Sequence, residues 1–296
     1  MRRQVPGAGE VFLDHVAWFA AEMQAAEAAL AAMGFTLTPF TRQMNASPEG
    51  PVPAGMANRC AMLGAGYLEF LTAVGDTPLA RQFHRQLARY RGLHLIAFTV
   101  ADAEAERARL RGADFDAQPP VHLRRSVELA AGGTGEAAFT VVRVPPNTMP
   151  EGRIQVLTHH TPDLVWQRRW TTQANAVESL EAVLLAVADP SEAAERFARF
   201  VDRPAVSLAD GRRLIALERG VLVFAEPVWV EAHVAPVPVA APVIAAVALG
   251  SADLATTSVA LAAAGAMQVA GGYALPAPLG GAVTLVQPGD MPAWAR

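Results

Sequence analysis

Apolar and polar residues along this chain follow an order of strand-like and helix-like segments that repeats. Val11–Ala20 is a short apolar run with aromatic and β-branched members, which predicts a strand. Ala21–Met33 is rich in alanine and stops at a glycine, which predicts a helix with a C-terminal cap. Three further strands are predicted at Phe35–Thr41, Asn58–Leu63 and Tyr67–Val74.

The same βαβββ order returns three more times. A second unit begins with a strand at Leu93–Val100 and a helix at Asp102–Arg111, a third begins at Leu180, and a fourth begins at Pro242. Repetition of one supersecondary unit of about 70 residues is a strong indication of the fold class. We therefore predict an α+β fold of four βαβββ units in two pairs, joined by the segment Thr161–Glu178.

Composition narrows the classes of function. Of the 296 residues, 52% are apolar and 18% are charged, which provides for a large core and excludes a disordered chain. The formal charge of −4 gives no reason to expect nucleic acid as a partner. All 24 basic residues are arginine, so Schiff-base chemistry, pyridoxal phosphate and a P-loop lysine are excluded. A single cysteine, Cys60, cannot form an intramolecular disulfide, which favours the reducing cytoplasm.

One uncharged stretch, Val234–Ala252, is long enough to raise the question of a membrane span. Pro236, Pro238 and Pro242 lie in its first half and would break a helix there. We therefore predict a proline-rich linker that runs into a buried strand, and no membrane partner.

Polar residues occupy four matching strand positions in the first pair of units, and largely apolar residues occupy them in the second. The first set is His15, Glu69, His94 and Gln155. The second set is Ala182, Val223, Ala245 and Thr284. A polar side chain within an apolar strand is costly to bury unless it is hydrogen-bonded or binds a metal. Two imidazoles, a carboxylate and an amide oxygen suit a divalent metal, although a single strand histidine is more often hydrogen-bonded in a core.

These strands carry a resemblance to a known family. The sequences LDHVA at 13–17, YLEFL at 67–71, GLHLIAF at 92–98 and RIQVLTHHTP at 153–162 resemble the vicinal oxygen chelate superfamily, and within it the glyoxalase-like domain proteins. The resemblance implies the glyoxalase/bleomycin-resistance/dihydroxybiphenyl dioxygenase-like fold, in which two βαβββ units form a cup around one divalent ion (Zn, Ni, Mn or Fe). It implies His15, Glu69, His94 and Gln155 as the metal ligands. We place this domain at residues 10–166 and a degenerate second copy without ligands at 178–296.

The resemblance also bears on activity. The last ligand position in the family is usually a glutamate that moves a proton, and Gln155 cannot do so. Glu69 is then the expected catalytic carboxylate. The implied function is a metal-dependent lyase, isomerase or ring-cleaving dioxygenase that acts on a small oxygenated metabolite, as a monomer or homodimer. The alternative is a protein that binds and sequesters a small molecule without turnover.

Substrate contacts are predicted near Glu69. Asn58 and Arg59 begin the neighbouring strand, and Arg143 lies on another; an arginine in the cup could hold a carboxylate through two hydrogen bonds, or lie in water at the sheet rim. His159 and His160 look like a metal-binding pair, but neighbouring strand residues point to opposite faces, which argues against joint ligation.

Overall fold

The computed structural model of this chain describes residues 3–45, 47, 49–130, 132–146 and 148–296. The strands are β1 (Val11–Phe19), β2 (Thr41–Asn45), β3 (Val52–Met62), β4 (Tyr67–Ala73), β5 (Gly92–Val100), β6 (Val121–Glu128), β7 (Thr134–Arg143), β8 (Arg153–His159), β9 (Val177–Ala186), β10 (Ala205–Ser207), β11 (Arg213–Ala216), β12 (Val221–Ala225), β13 (Val243–Ser251), β14 (Met267–Val269), β15 (Gly272–Ala274) and β16 (Ala282–Val286). The α-helices are α1 (Met23–Ala32), α2 (Pro78–Leu87), α3 (Ala103–Gly112), α4 (Pro162–Val165), α5 (Arg168–Thr171), α6 (Pro190–Val201), α7 (Pro227–His233) and α8 (Leu254–Ala263), and a 3-10 turn lies at Ala293–Ala295.

The first eight strands close into a ring. Their order is β1-β4-β3-β2-β6-β7-β8-β5, and β5 returns to pair with β1 in antiparallel fashion. Strands β2 and β6 meet at one residue pair only, Asn45 with Leu123, so the ring is weakest there. Alternate residues of each strand face the interior, because side chains along a strand alternate between the two faces. The ring therefore encloses a cup.

Helix α2 packs against the cup from one end. The ring of Phe83 on this helix stacks on Phe19 of β1, with centroids 4.6 Å apart, and both side chains are buried. The helix begins at Thr77, whose hydroxyl accepts a hydrogen bond from Ala80 N, and Pro78 occupies the first turn. This combination of an N-cap residue and a proline is a strong start signal.

The second half repeats the arrangement without closing it. Strands β9 and β13 pair at its centre, β12, β11 and β10 extend it on one side, and β16, β15 and β14 on the other. Its inner face is apolar and is covered by Val230 of α7 and by the buried Trp294 near the C-terminus. The two halves join through Leu93 of β5, which pairs with Ile244, and through Leu13 N, which donates to Arg219 O at 2.7 Å.

The predicted α+β fold of repeated βαβββ units is confirmed, and the strands expected at Arg153–His159 and Val221–Ala225 have those bounds. The second strand was misplaced. Residues 35–40 form no strand, because Phe35 N donates to Leu30 O at the end of α1 and Pro39 supplies no donor, so pairing begins at Thr41. Residues 243–251 of the uncharged stretch form β13, and none of the helices within the described ranges is long and apolar enough to span a membrane.

Candidate functional site

The cup presents its side chains in two rows across strands β4, β1, β5 and β8. One row is Tyr67, His15, Ala97 and Gln155. The next row is Glu69, Ala17, Leu95 and Arg153. The two rows are related by an approximate twofold rotation that exchanges β1 with β5 and β4 with β8. Glu69 of one row therefore corresponds to Gln155 of the other, and His15 corresponds to Leu95. The rows line a cavity of about 80 Å³, well below the ~300–1,000 Å³ of sites for drug-sized ligands. The site is built for a small molecule.

His15 is held in place by a buried carboxylate. Asp14 Oδ2 accepts a hydrogen bond from His15 Nδ1 at 2.7 Å, and Asp14 Oδ1 accepts one from His159 Nε2 at 2.9 Å. Burial alone would raise the pKa of Asp14, but the two histidines outweigh it and lower this pKa, so the carboxylate is ionised. The Asp14 contact fixes the proton of His15 on Nδ1 and leaves Nε2 to face Glu69.

Glu69 lies beside that free nitrogen. Its Oε2 is 3.6 Å from His15 Nε2, while its Oε1 accepts hydrogen bonds from Asn58 Nδ2 at 2.5 Å and from Gln43 Nε2 at 3.4 Å. Tyr67 stacks on the His15 ring with centroids 4.3 Å apart. Asp14 thus orients the imidazole and Asn58 orients the carboxylate, so that His15 Nε2 and Glu69 Oε2 face each other.

Arginine dominates the charge of the cavity. Glu69 is the one carboxylate among the lining residues, whereas Arg124, Arg125, Arg143 and Arg153 all contribute guanidinium groups. Arg124 is exposed and pairs with Glu136 outside the cavity at 2.5 Å. None of the other three forms an ion pair with an acid among the described residues, so the lining carries more positive than negative charge.

Arg153 is the least satisfied of these groups. It is 8% exposed, and its Nε and Nη2 have no hydrogen-bond partner among the described residues. Burial and, to a smaller extent, neighbouring Arg143 lower the pKa of Arg153 to about 9, although Glu69 opposes both. Burial also lowers the pKa of Arg143, whose Nε donates to Gln155 Oε1 at 3.3 Å. Buried polar groups in proteins nearly always have a hydrogen-bond partner, so these two nitrogens of Arg153 call for an acceptor from a ligand or from water.

His94 lies outside the cup, contrary to the ligand set that the sequence predicts. Register shifts in the β1–β5 ladder leave Asp14 unpaired on one strand and His94 on the other, so Leu95 faces the cavity where a second histidine was expected. The His94 ring lies between Tyr90 and Phe19, with centroids 4.0 and 4.9 Å away, and its Nε2 donates to Tyr90 O at 2.9 Å. Burial lowers the pKa of His94 to about 4, which keeps it neutral.

The predicted four-ligand metal site is therefore not assembled. His15, Glu69 and Gln155 share the cavity, but the Gln155 amide oxygen accepts from Arg143, and Leu95 offers no donor. Within the described ranges, no group of three His, Cys, Asp or Glu side chains is arranged to hold a metal ion. A strong divalent site in proteins uses three or four such ligands. The donor set and the surrounding guanidinium groups do not fit the metal that the resemblance implies.

The predicted substrate-binding residues divide between the inside and the outside of the cup. Asn58 and Arg143 line the cavity, as just described. Arg59 does not: it lies opposite Phe70 on the outer face of β3, where it pairs with Glu27 at 3.1 Å and donates to Thr38 O. The alternation of β3 accounts for this, because Asn58 faces inward and its neighbour must then face outward.

Cys60 and the pair His159 and His160 have no direct place in the cavity lining. Burial raises the pKa of Cys60 to about 12, so the thiol is protonated and unreactive. His159 and His160 do face opposite sides: His159 contacts Asp14, and His160 Nε2 contacts Thr140 Oγ1 at 2.7 Å. The contact between Asp14 and His159 joins residues 145 positions apart, and no sequence signal reveals it.

The second half holds no comparable site. Ala182, Val223 and Ala245 are buried among apolar neighbours. Thr284 Oγ1 donates to Gly271 O at 2.7 Å and accepts from Trp294 Nε1 at 2.9 Å. The position that corresponds to the cup is thus filled by the chain's own tryptophan.

Comparison with known proteins places the fold. Structures of similar fold include a hypothetical protein from Staphylococcus aureus (TM-score 0.66, 11% identity, 94% of this chain and 99% of that chain covered). They also include a mutant of 4-hydroxymandelate synthase from Streptomyces coelicolor (TM-score 0.50, 17% identity, 87% and 76% covered). A third is the Mn(II)-bound glyoxalase from Novosphingobium aromaticivorans (TM-score 0.49, 12% identity, 94% and 81% covered).

A search of curated protein sequences found no match. Residues 13–201, which include every lining residue of the cavity, match the sequence profile described as "Glyoxalase-like domain". This match spans more than half of the chain, and the repeated βαβββ units agree with it. The chain belongs to the glyoxalase-like domain family of the vicinal oxygen chelate superfamily.

Proposed function

We propose that the first-half cup is the active site of an enzyme that moves a proton on a small oxygenated metabolite, with His15 as the base, Glu69 as the carboxylate that stabilises its protonated form, and no metal ligand set. The observation that carries the proposal is the line Asp14–His15–Glu69, which directs a basic nitrogen into the small cavity of the cup. A histidine oriented by a buried carboxylate is a recurrent general base.

Each residue has a part in such a step. His15 Nε2 removes a proton from the carbon next to a carbonyl group and becomes an imidazolium. Asp14 on one side and Glu69 on the other stabilise that positive charge, because both carboxylates lie within 4 Å of a ring nitrogen. The electron pair moves onto the carbonyl oxygen, where the Arg143 guanidinium and the Gln155 amide supply positive charge and N–H donors. The imidazolium returns the proton to a carbon atom to complete the exchange.

The proposal is tested by hydrogen–deuterium exchange at carbon, followed by proton NMR in D₂O. Chelator-treated protein is incubated with hydroxyacetone, dihydroxyacetone and 2-oxobutyrate. We expect exchange of protons next to the carbonyl group of at least one compound. His15→Gln and Glu69→Gln should each slow it by about 100-fold or more, the usual contribution of general acid–base catalysis. His84→Gln, a matched change at an exposed histidine of α2, should leave the rate unchanged.

Three results would contradict this proposal. Exchange at the parental rate in His15→Gln would remove the histidine from the reaction. Exchange that chelation abolishes, and that one equivalent of Zn, Ni, Mn or Fe restores, would establish the metal-dependent enzyme instead. Tight binding of a compound without any exchange would favour the sequestering protein.

A further inference from the structure

The positive charge of the cup is concentrated on other strands than those that carry His15 and Glu69. Arg153 and Gln155 lie on β8, two strands away from His15 on β1. Arg143 lies on β7, opposite Gln155 in the antiparallel ladder. The cavity thus has a basic wall on β7 and β8 and an acid–base wall on β1 and β4.

Arg153 lacks the partner that a buried guanidinium normally has. Its Nε and Nη2 are the two nitrogens with which arginine binds a carboxylate side-on, and both are buried without a hydrogen bond to any residue that the structure describes. Its guanidinium carbon lies 5.4 Å from the centroid of the Phe19 ring, a contact that satisfies no donor. Arg125 adds to the pattern, because its Nε is also buried without a partner while its guanidinium packs over Phe139.

We infer that the cup takes a short-chain oxo- or hydroxycarboxylic acid, whose carboxylate binds Arg153 with Arg143 beside it. This inference rests on the proposed function, since it assigns the substrate class of the same site. The carboxylate supplies the acceptors that Arg153 lacks and neutralises the excess charge of the basic wall. The cavity of about 80 Å³ restricts the acid to a few carbon atoms, and its oxygenated carbon then faces His15 and Glu69.

The apolar part of the lining fits the remainder of such an acid. Leu71 on β4, Leu95 on β5, Val141 on β7 and Leu157 on β8 also line the cavity and offer no hydrogen bonds. A short alkyl chain can pack against them, whereas a sugar or a polyol would leave hydroxyl groups unpaired there. The lining therefore favours an aliphatic acid over a neutral polyhydroxy compound.

The test compares acids with neutral amides of the same shape. Calorimetric titration of the chelator-treated full chain uses lactate with lactamide, pyruvate with pyruvamide, and 2-oxobutyrate with 2-oxobutanamide. We expect at least one acid to bind about 10-fold or more tightly than its amide, as a charge-assisted bidentate hydrogen bond provides. Arg153→Met should remove that preference, whereas Arg59→Met, on the outer face of β3, should leave it intact.

A second variant keeps the test valid if Arg153→Met fails to fold. Arg153→Lys retains the charge but loses the planar pair of donors, and should weaken acid binding by about 3- to 10-fold without affecting the amide. Equal affinity for acid and amide, unchanged acid binding in Arg153→Met, or no binding of any of the three acids would overturn the inference. Binding requires no turnover, so an acid held through Arg153 without proton exchange would contradict only the proposed function. Exchange on neutral ketones without any preference for acids would contradict only this inference.

Discussion

Replacing Arg153 by methionine should stabilise the ligand-free protein while removing its ability to bind an acid. The arginine is buried, its Nε and Nη2 have no hydrogen-bond partner in the described ranges, and Arg143 is close enough to lower its pKa. Methionine has a similar length and no charge to desolvate, so it can fill the same space without leaving a donor unpaired. Sites that bind a charged ligand often reduce stability in this way.

The magnitude follows from the ionisation of Arg153. Its pKa falls from 12.5 to about 9 in the folded protein. At about 1.36 kcal/mol per pKa unit, the charged form is about 5 kcal/mol less favourable in the fold than in the unfolded chain. Water in the cavity and the attraction of Phe19 for the cation offset part of this penalty, the latter by about 1 kcal/mol. We expect Arg153→Met to raise the free energy of unfolding by about 1–3 kcal/mol.

The assay is urea-induced unfolding at pH 7 in a buffer free of carboxylate and phosphate. The matched control is Arg59→Met, which removes an arginine that is paired with Glu27 and with Thr38 O. The unfolding free energy of that variant should be lower by up to about 1 kcal/mol, because the ion pair between Arg59 and Glu27 is partly exposed. Arg153→Met could instead lose as much unfolding free energy as Arg59→Met, or more. The Arg153 guanidinium would then be hydrogen-bonded in the folded state, and the reasoning from its missing partners would be refuted.

Three other predictions follow from the fold. Burial lowers the pKa of His94 to about 4, so the folded chain binds fewer protons than the unfolded chain between pH 6.5 and 4. The free energy of unfolding should therefore decrease by up to about 3 kcal/mol as the pH is lowered across this window. Urea unfolding of His94→Gln, which keeps a donor for Tyr90 O, should show no such decrease. Trp294→Ala empties the second-half core and should lower the unfolding free energy by about 3–5 kcal/mol without altering proton exchange in the cup, whereas a loss below 1 kcal/mol would mean that this tryptophan fills nothing essential. Residues 1–176 expressed alone should be poorly soluble in a sedimentation assay, because β1 and β5 lose their contacts with the second half; a soluble, stable monomer would show that this half is not a cover.

The repeat and its first strand were predictable from the sequence, because hydrophobic runs and glycine caps mark each unit. His15 and Glu69 were also predictable, since each is a polar residue at the centre of a buried strand. What the sequence could not reveal is a bulge. In β5 a single extra residue shifts the pleat, so that His94 leaves the cup and Leu95 enters it, although the motif around His94 resembles a ligand strand.

The basic wall was only partly predictable, for a related reason. Arg143, a predicted substrate contact, lies in the cavity lining, whereas Arg59 does not, and residue type alone could not distinguish the two. The burial of Arg153 was not predictable, because an arginine at the start of a strand is ordinarily solvated. Its burial depends on how β8 closes against β5 and β7 around the cup, which is a property of the ring and not of the local sequence.

The most direct test of the account is a crystal structure of the chelator-treated protein with 2-oxobutyrate bound. The account predicts the carboxylate within hydrogen-bond distance of Arg153 Nε and Nη2, and the carbon next to the carbonyl group facing His15 Nε2. Density for a metal ion coordinated by His15 Nε2 and Glu69 Oε2, or an acid bound elsewhere with Arg153 still lacking a partner, would contradict it.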